Sequence, residues 1–136
     1  MTYRWIDHTA EVELEIEAAS ERAVLEEALR ALAELLGVEC DEAFVPASTI
    51  PHEVSAEAAD RPTLLAAWIE ELAFLAESEG FVATRLVDLD LHGGDLRAIV
   101  GGVLAEPPPL VKAVTYHRLT FEPSGDGYVA RVVLDV

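Results

Sequence analysis

The sequence predicts an α+β fold: one domain over residues 1–136, with two helices packed on a mostly antiparallel β-sheet. Three observations lead there. Apolar residues recur at helical spacing in two early segments, whereas after residue 80 the pattern alternates every second residue between glycine-marked turns. A chain of 136 residues, 51% of them hydrophobic, can bury one substantial core and is short for two.

The elements follow in order. "EVELEIEA", from Glu11, alternates strictly, with Val12, Leu14 and Ile16 on one face and Glu11, Glu13, Glu15 and Glu17 on the other, so a half-buried strand is expected. Ser20 can cap a helix over 20–36 whose apolar positions are Val24, Ala28, Leu32 and Leu35, and Gly37 can end it. "STIPHEVSAE" reads as an extended edge strand within 46–57, because Pro46 and Pro51 remove ladder donors. Pro62 suits the first turn of a second helix carrying Leu65, Trp68, Ile69, Leu72 and Leu75, stopped by Gly80. "FVATRLVDLDL", the turn "HGGD" and "LRAIVGGVLAE" form a hairpin, since paired glycines supply positive φ. Pro107 to Pro109 interrupt the sheet, and strands over 110–121 and 128–135 are joined by the turn "PSGDG".

Nine basic against 26 acidic residues leave a net charge of −17, which repels phosphate backbones and argues against direct high-affinity nucleic-acid binding. Such a surface favours cations and basic protein partners. No run approaches the roughly 20 apolar residues of a bilayer span, and the N-terminus lacks the apolar core of a secretory signal, so a cytoplasmic protein with no membrane partner is expected. The lone Cys40 has no partner for a disulfide and no neighbouring zinc-ligand pattern. No phosphate-binding glycine loop, dinucleotide fingerprint, HExxH or GxSxG is present.

Three short polar clusters remain: "DHTAE" at 7–11, "KAVTYH" at 112–117, and "LDV" at the end. Glu11 is either one more carboxylate of a solvated strand face or a ligand for a hard cation, which needs several charged oxygens. Asp135, on a largely apolar last strand, and the α-carboxylate of Val136 can supply further oxygens if the first and last strands meet; otherwise they are a frayed terminus. Asp7 and His8, adjacent on the chain, point to opposite faces if extended, so they read as turn or capping groups, with His8 also able to orient a carboxylate. His52 and His92 read as surface residues. In "VKAVTYHRLTF", alternation puts Val111, Ala113, Thr115, His117, Leu119 and Phe121 inward, with Lys112, Val114, Tyr116, Arg118 and Thr120 outward. His117 is then either a satisfied core histidine or a site residue, and Lys112, Tyr116 and Arg118 face partners or counter-charges.

Taken together and in this order, the clusters resemble the archease family. The carrying features are "HTA" followed by an acid, two acidic helices, "KAxTYH" ahead of an alternating strand, and a terminus of Asp plus one aliphatic residue. The resemblance spans the whole chain. It implies a non-enzymatic protein cofactor of the RtcB-type RNA ligase, promoting the ligase's guanylylation and multiple turnover in tRNA splicing and RNA repair. It also implies a metal site at Glu11, Asp135 and Val136, with Ca²⁺ the expected ion and Mg²⁺ or Mn²⁺ as alternatives. Asp7, His8, Lys112, Tyr116 and His117 would support that site or touch the partner. The family has Asp where this chain has Glu11, which is one methylene longer. Two other readings stay open: a small metal-dependent phosphoesterase-like enzyme with His8 or His117 as acid/base, and a structural or oligomerising module whose acidity serves solubility.

Overall fold

The computed structural model describes residues 2–8, 11–37, 51–104 and 113–135. The elements run β1 (Thr2–His8), β2 (Glu11–Ala18), α1 (Glu21–Leu35), β3 (His52–Glu57), α2 (Arg61–Glu79), β4 (Phe81–His92), β5 (Asp95–Leu104), β6 (Ala113–Ser124) and β7 (Gly127–Asp135). The expected α+β class is what is found, with one difference of arrangement. The strands form two antiparallel sheets, a first of order β1-β2-β7-β6 and a second of order β3-β5-β4, where one sheet was expected. The chain leaves the second sheet after Leu104 and re-enters the first at Ala113, on either side of the three prolines.

Local chemistry explains the element ends. The Ser20 hydroxyl accepts from the Ala23 N–H at 3.1 Å, and the Asp60 carboxylate accepts from the Thr63 N–H at 2.8 Å, so each helix begins with a side chain satisfying one of its free donors. Pro62 sits in the first turn of α2, where its missing N–H costs nothing. Gly80 ends α2 at φ 68° with its N–H on the Ala76 carbonyl, a left-handed conformation glycine adopts without Cβ strain. The expected edge strand is β3, at the margin of the second sheet. The part of that expectation over 46–50 lies outside the described residues, as do residues 110–112 of the strand expected from 110, and Cys40.

Sequence reading passed over β1. "TYRWIDH" mixes polar and aromatic residues without clean alternation, yet it pairs along its whole length with β2, from Thr2 opposite Glu17 to His8 opposite Glu11. Asp7 and His8 are therefore strand residues by backbone register, not turn or capping positions.

One apolar core serves both sheets. It takes Leu14 and Ile16 from β2, Val54 from β3, Leu96 and Val100 from β5, Phe121 from β6 and Val132 and Leu134 from β7, with Tyr3 and Trp5 of β1 packed against it. The helices join the sheets: α1 touches β4 of the second and β1, β2 and β7 of the first, while α2 touches β3 and β4 of the second and β6 of the first. Trp68, fully buried, donates its indole N–H to the Leu25 carbonyl at 2.9 Å, tying α2 to α1 without leaving a buried donor unpaired. His52 is more than a surface residue, because its ring lies 3.9 Å from that of Phe81.

Candidate metal centre

The core claims Val12, Leu14, Ile16 and Ala18 of β2, so alternation turns Glu11, Glu13, Glu15 and Glu17 to the opposite face of the first sheet. Register then decides which groups meet there. Glu11 lies directly opposite Asp135 on β7, His8 opposite Glu11 on β1, and Ala113 opposite Asp135 on β6, forming one row across four strands. Directly opposed residues share a face with Cβ atoms about 5 Å apart, and like charges so placed destabilise the sheet. Glu11 and Asp135 are both half-buried, which reduces the screening that water gives a fully exposed pair.

The paired carboxylates offer up to four hard oxygens, a donor set that suits Ca²⁺, Mg²⁺ or Mn²⁺ and not a soft ion. A cation there would also relieve their mutual repulsion. Among the described residues, no group of three or more His, Cys, Asp or Glu side chains converges to hold a metal. The described part of the candidate centre is thus this pair. Val136 and Lys112 lie outside the described residues, Asp7 and His8 are placed by backbone register alone, and His117 falls where the ladder between β6 and β7 is interrupted. Asp7 falls opposite Val12, one residue out of step with the Glu11 row.

The next row along the same face holds Ile6, Glu13, Val133 and Thr115. Here the expectation of a uniformly solvated glutamate face fails, because Glu13 is only 3% exposed. Its Oε1 has no hydrogen-bond partner; the guanidinium groups of Arg118 and Arg131 approach it to 3.7 and 4.0 Å. The Thr115 hydroxyl in the same row is buried and unpaired as well. One row further, Glu15 bonds Arg4 at 2.6 Å and Arg131 at 2.8 Å. The Arg4 hydrogen bond, helped by the positive charges of Arg4 and Arg131, holds the Glu15 carboxyl below its ordinary value. Glu13 escaped sequence reading since its place in "EVELEIEA" is indistinguishable from that of its neighbours.

The alternation read into "KAVTYHRLTF" is also corrected. β6 stays in step with β7 from Ala113 to Thr115, then resumes at Thr120 opposite Arg131, having spent three more residues than its partner. Before this bulge Val114 faces the core and Ala113 is exposed, the reverse of the expected phase; after it Phe121 is buried as expected. Arg118, inside the bulge, has φ 61° and is the one non-glycine residue with positive φ among the described residues. His117 falls within the bulge, so it has no ladder partner from which an inward orientation follows. Tyr116, 59% exposed, donates to Glu70 of α2 at 3.3 Å, and the Glu70 charge raises the phenol above its ordinary value.

Comparison with known proteins adds a family. A profile of the Archease protein family matches residues 3–136. A protein named archease from Archaeoglobus fulgidus is 34% identical over 150 aligned positions, covering all of both chains, and one from Methanopyrus kandleri is 31% identical, again over both whole chains. A crystal structure from Thermotoga maritima, described as an archease and possible chaperone, is 26% identical with a TM-score of 0.67, covering 100% of this chain and 98% of that one. The solution structure of a Methanobacterium thermoautotrophicum protein is 26% identical with a TM-score of 0.66, covering 98% of each.

Proposed function

The chain belongs to the archease family, and from that premise we propose that it is an accessory protein, not itself an enzyme, that activates an RtcB-type RNA ligase through a divalent cation. The observation that carries this reading is the Glu11–Asp135 pairing, which sets two half-buried carboxylates directly opposite each other on one sheet face. Glu11, Asp135 and the terminal carboxylate of Val136 would hold the ion, Ca²⁺ first by family resemblance, with Mg²⁺ or Mn²⁺ as alternatives. When bound, the cation supplies a concentrated positive charge able to neutralise phosphate oxygens or to be exchanged with a metal-dependent partner centre.

The rest of the chain's chemistry agrees with a protein partner. A net charge of −17 disfavours independent RNA binding, so the RNA contacts belong to the ligase in this reading. His8, by register beside Glu11, Lys112, next in sequence to Ala113 of the same row, and His117, in the β6 bulge, are the supporting or partner-facing groups of the proposal. No helix of the described residues is long and apolar enough to cross a membrane, and the proposal puts the protein in the cytoplasm with the ligase. Tyr116, engaged with Glu70, is the exposed aromatic of the strand and a further candidate for partner contact.

The test is a reconstituted ligation of 3′-phosphate and 5′-hydroxyl RNA ends under limiting GTP and metal. Wild-type protein should accelerate ligase guanylylation and restore multiple turnover, whereas Asp135→Ala should fold normally and fail to stimulate. Deleting Val136 should give a milder loss, because Asp135 would then carry the terminal carboxylate. Full stimulation by Asp135→Ala rules out the cation route.

A further inference from the structure

Two unrelated structural costs meet one row away from the Glu11–Asp135 pair. Glu13 is a carboxylate 3% exposed whose Oε1 has no hydrogen bond, and a buried charge without full pairing is costly to keep. Arg118 holds a positive φ of 61° inside a three-residue bulge, a conformation disfavoured for any side chain with a Cβ. The bulge brings its guanidinium to 3.7 Å from Glu13, too far for a hydrogen bond. A neutral side chain at 13 would avoid the first cost, and a strand without the bulge would not need the second. Backbone strain and an unsatisfied polar atom found together point to a function at that place.

Glu13 is two residues from Glu11 on the same strand face, so the two Cα atoms are about 7 Å apart by strand geometry. It is not one of three converging ligands, because no such group exists among the described residues. Its influence on the neighbouring pair is therefore through its field, which burial leaves poorly screened. We propose that Glu13 is a non-ligating charge that sets the affinity of the Glu11–Asp135 centre for hard cations, and that Arg118 is its adjustable counter-charge. This rests on the metal reading of that centre and extends it to residues that do not touch the ion.

A field effect has two signatures that a structural role lacks. Its sign follows charge: Glu13→Gln weakens cation binding, and Arg118→Gln, which removes the opposing positive charge, tightens it. Its size also scales with the valence of the ion, so a trivalent lanthanide responds more than Ca²⁺. Raising the concentration of a monovalent salt should shrink the Arg118 effect more than the Glu13 effect, because the arginine side chain is 55% exposed and Glu13 is buried.

The experiment measures Ca²⁺ binding by calorimetry and Tb³⁺ binding by sensitised luminescence for the whole chain, its Asp135→Asn, Glu13→Gln and Arg118→Gln variants, with thermal denaturation of each. The expected result is loss of binding in Asp135→Asn, a roughly tenfold weakening for Ca²⁺ in Glu13→Gln with a larger change for Tb³⁺, and a severalfold tightening in Arg118→Gln. Unchanged affinities in Glu13→Gln and Arg118→Gln, alongside loss in Asp135→Asn, overturn the inference and leave the metal centre standing. Absence of binding by the wild type overturns both. Should Glu13→Gln fail to fold, Arg118→Gln decides alone: unchanged or weaker binding contradicts the inference.

Discussion

Two rows of this molecule share one grammar. In the first sheet His8, Glu11 and Asp135 occupy facing positions on β1, β2 and β7; in the second, His92, Asp95 and Glu57 do so on β4, β5 and β3. In each, two residues separate the histidine from the first acid, "HTAE" in one and "HGGD" in the other. Their surroundings differ. Glu57, Asp95 and His92 are all exposed, and the next row places Arg97 between Ser55 and Asp90. Glu11 and Asp135 are half-buried, and the next row adds the buried carboxylate of Glu13. On the proposed reading, burial and the charge of the neighbouring row, rather than opposed acids alone, set whether an ion is held against water.

The second hairpin also shows what a turn built for stability looks like. Gly93 has φ 62°, and a Cβ on Gly94 would lie 2.2 Å from the Ala58 carbonyl oxygen, whose own N–H bonds the Gly94 carbonyl at 3.0 Å. Both glycines are thus accounted for by backbone geometry and close approach.

The largest contrast expected is in cation affinity. Asp135→Asn should lower it by about a hundredfold or more while Asp95→Asn leaves it within about twofold, as read by calorimetry; equal losses would erase the distinction between the rows. Next in size, Gly94→Ala should destabilise the fold by about 2 kcal/mol through the backbone clash at Ala58, with metal affinity intact. Urea denaturation measures it, and a neutral outcome would mean the turn yields more easily than its geometry implies. Third, Glu13→Gln should raise stability in metal-free buffer by about 1 kcal/mol, because it removes a buried charge whose Oε1 has no hydrogen bond and only distant, solvent-exposed counter-charges. A loss of stability would instead show that Arg118 and Arg131 satisfy it. The smallest effect lies at Asp60, whose carboxyl is held below its ordinary 3.8 by the Thr63 N–H. The folded value being the lower, its contribution is complete above 3.8 and fades as pH falls through the folded value. Asp60→Asn keeps a capping oxygen without titrating, so its melting temperature should fall less on acidification than that of the wild type.

Much of this architecture could be read from residue order, and the omissions have identifiable causes. Both helices and most strands announce themselves through caps, glycine stops and periodicity, as with Ser20 and Gly80. β1 does not, since its core positions Tyr3 and Trp5 are large amphipathic rings while the apolar Ile6 lies on the outer face in the Glu13 row. The division into two sheets depends on long-range pairing that local pattern does not encode. The candidate pair needed two facts of different origin: "DHTAE" and the terminal "LDV" single out Glu11 and Asp135, but only register puts them face to face. Glu13 and the β6 bulge were illegible for a common reason. A buried glutamate and a solvated one carry the same letter, and a bulge inserts residues without changing their polarity.

The central claim is that a cation sits between Glu11 and Asp135. Crystals grown with Mn²⁺ and measured for anomalous scattering test it most directly. The account predicts an anomalous peak coordinated by those two carboxylates, and no comparable peak at Glu57 and Asp95. Well-ordered density for Glu11 and Asp135 with no peak between them, or a peak only in the second sheet's row, would contradict it.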